Sequence, residues 1–231
     1  MSKYSFSLLL FLLSFSCIAQ DQDSLAVPAK ASAPAAAHPK QLRFSFDVAR
    51  ILMNRLSEQK SSYEGGLDYY LKNETYFTAE FGSGNSVIDY PDLKYKSNNI
   101  FVRAGIDKSL FERRYPQDWG MGFIGFRYAV GMINRNEAAY TTNDGLGGIT
   151  SGITPAHRFT AHWFELTGGM RVELFKNTFA GWNVRFKFLL NQKAMGELKP
   201  AYIAGYGAGE KGTAFDYNFY LAFALRWSAK H

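Results

Sequence analysis

Three things are scarce in this 231-residue chain. It has one cysteine, Cys17, and four histidines. No apolar stretch reaches the roughly 20 residues that a spanning helix needs. The lone cysteine excludes a disulfide framework and a cysteine-based zinc site. His157 and His162 lie five apart with no clustered cysteine or carboxylate, so metal-ligand spacing is missing too. Dense Lys/Arg runs and nucleic-acid motifs are also absent. The formal charge of +6 therefore reads as surface charge or attraction to anionic lipid, not as a nucleic-acid footprint.

The longest apolar run, Leu8 to Ala19, follows Lys3 and is interrupted by serines. A basic start, a short apolar core and small residues at its end describe an export signal, residues 1–19, cut between Ala19 and Gln20. The alternative is lipidation at Cys17, for which Ser14-Phe15-Ser16 is a poor match. With the cut at Ala19 the mature chain has no cysteine, which suits an oxidising periplasm. Residues 20–40 are Ala/Pro-rich without hydrophobic periodicity and read as a disordered linker. Within it, Asp23-Ser24-Leu25 matches an O-glycosylation pattern of Bacteroidetes exported proteins, set against an unmodified linker.

What the chain has in abundance is alternation. Phe215, Tyr217, Phe219, Leu221, Phe223, Leu225 and Trp227 occupy every odd position, with Asp216, Asn218, Tyr220, Ala222, Ala224 and Arg226 between them. In an extended strand that places one apolar face against one polar or small face. The same pattern begins at Leu42, with Leu42, Phe44, Phe46 and Val48 opposite Arg43, Ser45, Asp47 and Ala49. It recurs from Tyr63, Tyr76, Ile100, Phe123, Trp163 and Trp182, which makes eight strands. Short connections near 72–75, 109–118 and 176–181 alternate with longer ones at 54–62, 84–97, 135–158 and 192–212. Membrane barrels have this asymmetry of short and long connections. The expected fold is therefore all-β: a closed antiparallel up-and-down eight-stranded transmembrane β-barrel over residues 41–231. Trp119, Trp182 and Trp227 fall at the short-turn end, as an interfacial girdle should.

Periodicity alone does not say which face points inward, and a soluble barrel would hide the apolar set. Volume decides, because eight strands enclose just enough room for side chains. The apolar face is crowded with Phe, Tyr and Trp, whereas the polar face carries Ala49, Gly66, Gly82, Gly105, Gly125, Ala129, Gly131, Gly169, Ala222 and Ala224. The small residues suit the lumen and the large ones suit lipid.

The lumen then holds Asp47, Glu64, Asp68, Glu80, Asp107, Glu165, Glu173 and Asp216 beside Arg43, Arg103, Arg127, Arg171, Arg185, Lys187 and Arg226. Counting from the tight turn brings Asp68 near Glu80, with Arg43 and Arg103 on the flanking strands to separate the two charges. Such a set could be a catalytic acid pair, an ion path, or an ion-pair network that plugs the barrel. The charges spread over all eight strands instead of converging, which favours the structural plug and a poorly conducting lumen. A hydrolase reading would need Ser151 with His157 or His162, but alternation turns His162 outward. No enzyme, cofactor or metal is expected. The loops offer Tyr140, Tyr202 and Tyr206 with Lys94, Lys96, Arg158, Lys199 and Lys211, which could meet a glycan, a protein or lipid phosphates, or stay solvated and mobile.

The Ala19-Gln20 signal end, the strand opening Tyr63-Glu64, the Tyr76 to Glu80-Phe81-Gly82 strand and the eight-strand layout resemble small outer-membrane β-barrel proteins of Bacteroidetes. More loosely, residues 41–231 resemble the OmpA/OmpX type of eight-stranded barrel. The resemblance implies the bacterial outer membrane and the barrel fold, and it carries no functional residue across. The chain leaves no room for the peptidoglycan-binding domain that follows the OmpA barrel, so wall anchoring is not implied. The expectation is a monomeric outer-membrane barrel, in contact with lipid including lipopolysaccharide, with a structural or surface-interaction role through its long loops. A narrow solute channel and a lipid-modifying enzyme are the alternatives.

Overall fold

The computed structural model describes residues 40–227 apart from 58, 114–117, 144, 146–147 and 197. The expected signal with its Ala19/Gln20 cut, Cys17, Ser24 and all of the linker but Lys40 lie outside the described residues. Among the described residues the order is β1 (Lys40–Asp47), α1 (Val48–Leu56), β2 (Lys60–Lys72), β3 (Thr75–Asp89), β4 (Leu93–Ser109) and β5 (Met121–Arg135). Then come β6 (Ala138–Asn143), β7 (Ile149–Thr154), β8 (His157–Phe175), β9 (Thr178–Leu189), a 3-10 turn at Gln192–Met195 and β10 (Thr213–Trp227).

Eight of these strands close a ring: β1, β2, β3, β4, β5, β8, β9 and β10 pair in that order, and β10 returns to β1. Every neighbouring pair is antiparallel. Closure gives each strand of the ring a partner on both sides over most of its length, so the backbone there satisfies itself without water. The remaining hairpin, β6–β7, hangs from the top of β4 through Leu93↔Tyr140 and Lys94↔Ala139.

The faces sort as the volume argument requires. Phe126, Phe186 and Phe223 are about half exposed, at 50%, 52% and 52%, while Arg43, Glu165 and Lys187 are buried to 0%, 0% and 1%. A fold with charge inside and a continuous apolar belt outside is the inverse of a water-soluble core. The lumen has no space to spare. A Cβ on Gly125 would stand 2.1 Å from the Asp107 carboxylate. At one end of the ring the turns are tight, with Asn73 and Glu74 both in the left-handed region at φ 48° and 56°, as two-residue hairpins demand.

Five expectations need correction. The first strand ends at Asp47, so Val48 and Ala49 belong to no strand. The Asp47 carboxylate accepts from the Arg50 N–H at 3.0 Å and caps a helix. The polar segment expected at 54–62 is likewise the end of that helix and the start of β2. The loop expected at 84–97 shrinks to Tyr90–Asp92, because β3 and β4 continue past the apolar belt. The stretch 135–158 is built, not open, since it contains β6–β7. Trp119 is buried inside the short-turn end at 3% exposure, so only Trp182 and Trp227 face outward.

Because β1 is short, Asp47 pairs with Tyr220 and Phe46 with Gly65 at its last rungs. Above that level β2 and β10 have no strand between them, and α1 packs against both. Asn54 substitutes for a strand residue there: its amide donates to Ser62 O and accepts from Ser62 N, both at 2.7 Å, imitating the two-bond exchange of an antiparallel ladder. Cysteines placed at Phe126 and Phe223 should resist a water-soluble thiol reagent in intact membranes, while one at Thr142 on the hairpin should label. Labelling at both strand positions would mean that the apolar belt faces water.

Candidate functional site: a charged lumen closed at both ends

The interleaving of charged and apolar residues along each strand delivers the charges to one narrow space. Seven cations (Arg43, Arg50, Arg103, Arg127, Arg171, Arg185, Lys187) meet seven carboxylates (Asp47, Glu64, Asp68, Glu80, Asp107, Glu165, Asp216) there. Arg103 is the hub. It contacts Glu64 of β2, Glu80 of β3 and, at 3.1 Å, Glu165 of β8. Arg185 from β9 bridges the same two glutamates, at 2.6 Å to Glu64 and 3.1 Å to Glu80. Arg127 joins Glu80 to Asp107, and Arg171 joins Asp107 to Asp68, at 3.3 and 2.7 Å.

Asp68 and Glu80 are not directly opposed: the register sets Asp68 against Thr78 and Gly66 against Glu80. Each carboxylate has its own arginines, with Arg43 3.6 Å from Asp68. Asp216 takes Lys187 at 2.8 Å and also Arg50, and Asp47 takes Arg50 at 3.2 Å. Arg226 and Glu173 stand apart from this network, paired with each other at 2.7 Å near the short-turn rim.

The free space among these groups is a cavity of about 20 Å³, room for about one water. Both ends are shut. At the short-turn end Arg113 lies 3.7 Å from the centroid of the Trp119 ring and bonds Glu74 at 2.8 Å. Tyr70, Tyr76, Phe123 and Phe179 are buried around them, and Arg43 and Arg171 cover Tyr76 and Phe123 at 4.3 and 4.7 Å. A cation over a ring face is held by the ring's quadrupole.

At the other end the connection expected as a long loop at 192–212 is not open, and its part 198–212 folds into the mouth. Ile203, Ala204 and Tyr206 are buried with Phe101, Ile133 and Trp163. Tyr206 is therefore not an exposed loop aromatic, and Tyr202 is half-buried; Tyr140 remains exposed. Lys187 Nζ donates to Gly205 O at 2.7 Å and so ties the segment to the charged lumen. Gly205 sits at φ 77°, and a Cβ there would press on the Phe101 ring at 2.8 Å. Burial pushes the Tyr206 hydroxyl up to about 12, which keeps it a donor to Lys211 O at 2.6 Å.

The described histidines, His157 and His162, are not gathered into a centre. His162 Nδ1 lies 2.8 Å from the Tyr128 hydroxyl on the outer face, His157 Nε2 is 3.3 Å from Ala194 O, and Ser151 pairs with Thr141 across β6–β7. Arg50 escaped the sequence reading because it lies on α1. Its signal was present: Asp47 as a cap before apolar residues at Val48, Ile51, Leu52 and Leu56.

Fold and lumen together define a small closed β-barrel with the inside-out polarity of membrane barrels. The chain belongs to the family described as domain of unknown function (DUF6048), whose model matches residues 1–229. No curated protein matches it. Among solved structures it is similar to Neisserial surface protein A, at 11% identity over 82% of this chain and 96% of that one, with a TM-score of 0.40. It is also similar to Ail of Yersinia pestis, at 8% identity, 81% and 97% coverage and a TM-score of 0.39. The N-terminal β-barrel domain of Pseudomonas aeruginosa OprF matches at 11% identity, 81% and 98% coverage and a TM-score of 0.31.

Removing one partner of a buried pair strands the other charge in a low dielectric. Arg103→Met should therefore cost about 3–5 kcal/mol in denaturant unfolding of the detergent-solubilised barrel. The exposed Lys94–Asp89 pair, 2.9 Å long, should be worth about 0–1 kcal/mol when Lys94 becomes Met. Equal losses for the two variants would refute the lumen network as the tie between strands.

Proposed function

We propose that the protein is a monomeric outer-membrane β-barrel that conducts no solute and acts through its surface, in line with the resemblance to Bacteroidetes outer-membrane barrels. The observation that carries this reading is the pairing of a continuous apolar exterior with a lumen reduced to about 20 Å³ between two closed ends. With the short turns in the periplasm, the long-loop end faces outward, as membrane barrels are built. The hairpin β6–β7 then projects from the cell with Ile149 and Ile153 at 71% and 69% exposure on one face and Tyr140 on the other. Exposed apolar side chains on a projecting hairpin suit contact with an extracellular protein or glycan. The lipid around the barrel includes lipopolysaccharide. A catalytic role is not part of this reading, since His162 is engaged by Tyr128 and Ser151 by Thr141.

The competing channel reading makes an opposite demand on the lumen. In planar bilayers the purified barrel should give no sustained openings, and Arg103→Ala combined with Arg185→Ala should be needed before steps appear. Sustained openings of the wild-type protein would sink the closed-lumen proposal.

A further inference from the structure

The breach above β1 does more than admit a helix. On its β1 side β10 has no strand partner above Tyr220, and α1 does not fill the space it leaves. Ala49, Leu52 and Met53 of the helix face Tyr217 and Phe219 of β10 across an apolar groove of about 470 Å³. That is within the ~300–1,000 Å³ typical of sites for small ligands. Its floor is the Arg50–Asp216 ion pair. The groove opens on the outer face, among side chains that belong to the apolar belt: Leu52, Met53, Tyr217 and Phe219 are each more than half exposed.

Inward and upward the groove meets a second, more polar chamber of about 430 Å³ that shares Arg50, Tyr202 and Asp216 with it and adds Lys211 and the backbone from Gly205 to Ala208. At the junction Lys60 Nζ, which lines the groove, lies 5.7 Å from the centroid of the Tyr202 ring. The path thus runs from an apolar slot at the level of the belt to a pair of lysines at the outer rim. Asp216, the carboxylate at the boundary, is already neutralised by Arg50 and Lys187.

We infer that this breach is a binding site for one anionic membrane lipid, with an acyl chain lying between α1 and β10 and the phosphate-bearing head between Lys60 and Lys211. The inference rests on the proposed membrane location. Hydrocarbon is the medium at the groove mouth, so an acyl chain fills the slot without displacing water. The two ammonium groups complement a headgroup of one sign at the height where headgroups lie. The ladder interrupted at Asp47 keeps the slot open, because a continued β1 would occupy it.

The test uses the full chain in phosphatidylcholine vesicles containing a small fraction of phosphatidylglycerol with a photoactivatable group in mid-chain, with labelled residues located by peptide mass spectrometry. Phe126, on the far wall, reports ordinary contact with the bilayer. Met53 and Phe219 should be labelled about tenfold more than Phe126, a preference of about 1.4 kcal/mol. The excess should fall when the probe is phosphatidylcholine or when Lys60→Gln and Lys211→Gln are combined. Met53→Trp should remove it while leaving Phe126 labelled; if that variant does not fold, the wild-type ratio and the lysine variant still decide. Equal labelling at all three positions overturns the inference, because the lipid is then only part of the annulus. So does protection of Met53 and Phe219 beside a labelled Phe126, which would put protein, from this chain or a second copy, over the groove. An excess identical for both lipids overturns the placement of the head at the lysines. No labelling even at Phe126 overturns the membrane location itself.

Discussion

A ring of eight strands encloses one layer of side chains and almost nothing else, so each charge placed inside must be neutralised by another charge placed inside. Seven cations and seven carboxylates meet that condition here, and their pairing decides much of the rest. Arg103 reaches carboxylates on β2, β3 and β8, which fixes four strands relative to one another through a single side chain. A slip of one residue in any ladder would turn a guanidinium into hydrocarbon and a phenylalanine into the lumen. Desolvation offsets most of the attraction within such pairs. Their main contribution is therefore to register, while the closed backbone ladders and the burial of side chains hold the barrel together.

The two closed ends solve one problem with different chemistry. At the short-turn end the opening is filled by rings and cations from the strands, Tyr70, Tyr76, Arg43 and Arg171, together with Arg113 and Trp119 of the β4–β5 connection. At the other end the chain has length available, and the segment around Ile203 to Tyr206 packs inward on Phe101 and Trp163. Glycine at 205 allows the backbone to pass against the Phe101 ring. Lys187 makes the junction between this apolar cap and the charged layer beneath it.

The strand count, the ring and the sidedness of each strand were legible in the sequence because alternation within the apolar belt is a local signal. Gly105, Gly125 and Gly169 also pointed inward correctly, since lumen crowding selects small residues at those positions. Elsewhere the signal failed for physical reasons. Just above the belt, at 83–86 and 96–99, both faces of β3 and β4 are polar or small, so Ser86 and Ser97, which bond across β3–β4 at 2.9 Å, read as loop. At the rim an inward tryptophan and an outward one look alike in sequence, which is why Trp119 was misplaced. Val48 and Ala49 continue the alternation of β1 on paper. What ends the strand is the Asp47 carboxylate taking the Arg50 N–H, a capping choice that competes with the ladder. The inward fold of 198–212 depends on partners from strands distant in sequence, β3, β4, β5, β8 and β9 among them, and had no local mark beyond its glycines.

The short first strand also sets the order of events by which the barrel forms. Within the ring, every ladder from β2 round to β10 joins neighbours in sequence or spans only the β6–β7 insertion, so each can zip from a nearby turn. The ladder between β1 and β10 pairs Lys40 with Trp227, nearly the whole described chain apart, and bears the full entropy of closing that loop. On its other side β1 meets β2 over only Leu42 to Phe46. Closure of the cylinder is thus the slow and late step. The two ladders of β1, to β10 and to β2, are the shortest in the ring, and α1 stands where they run out.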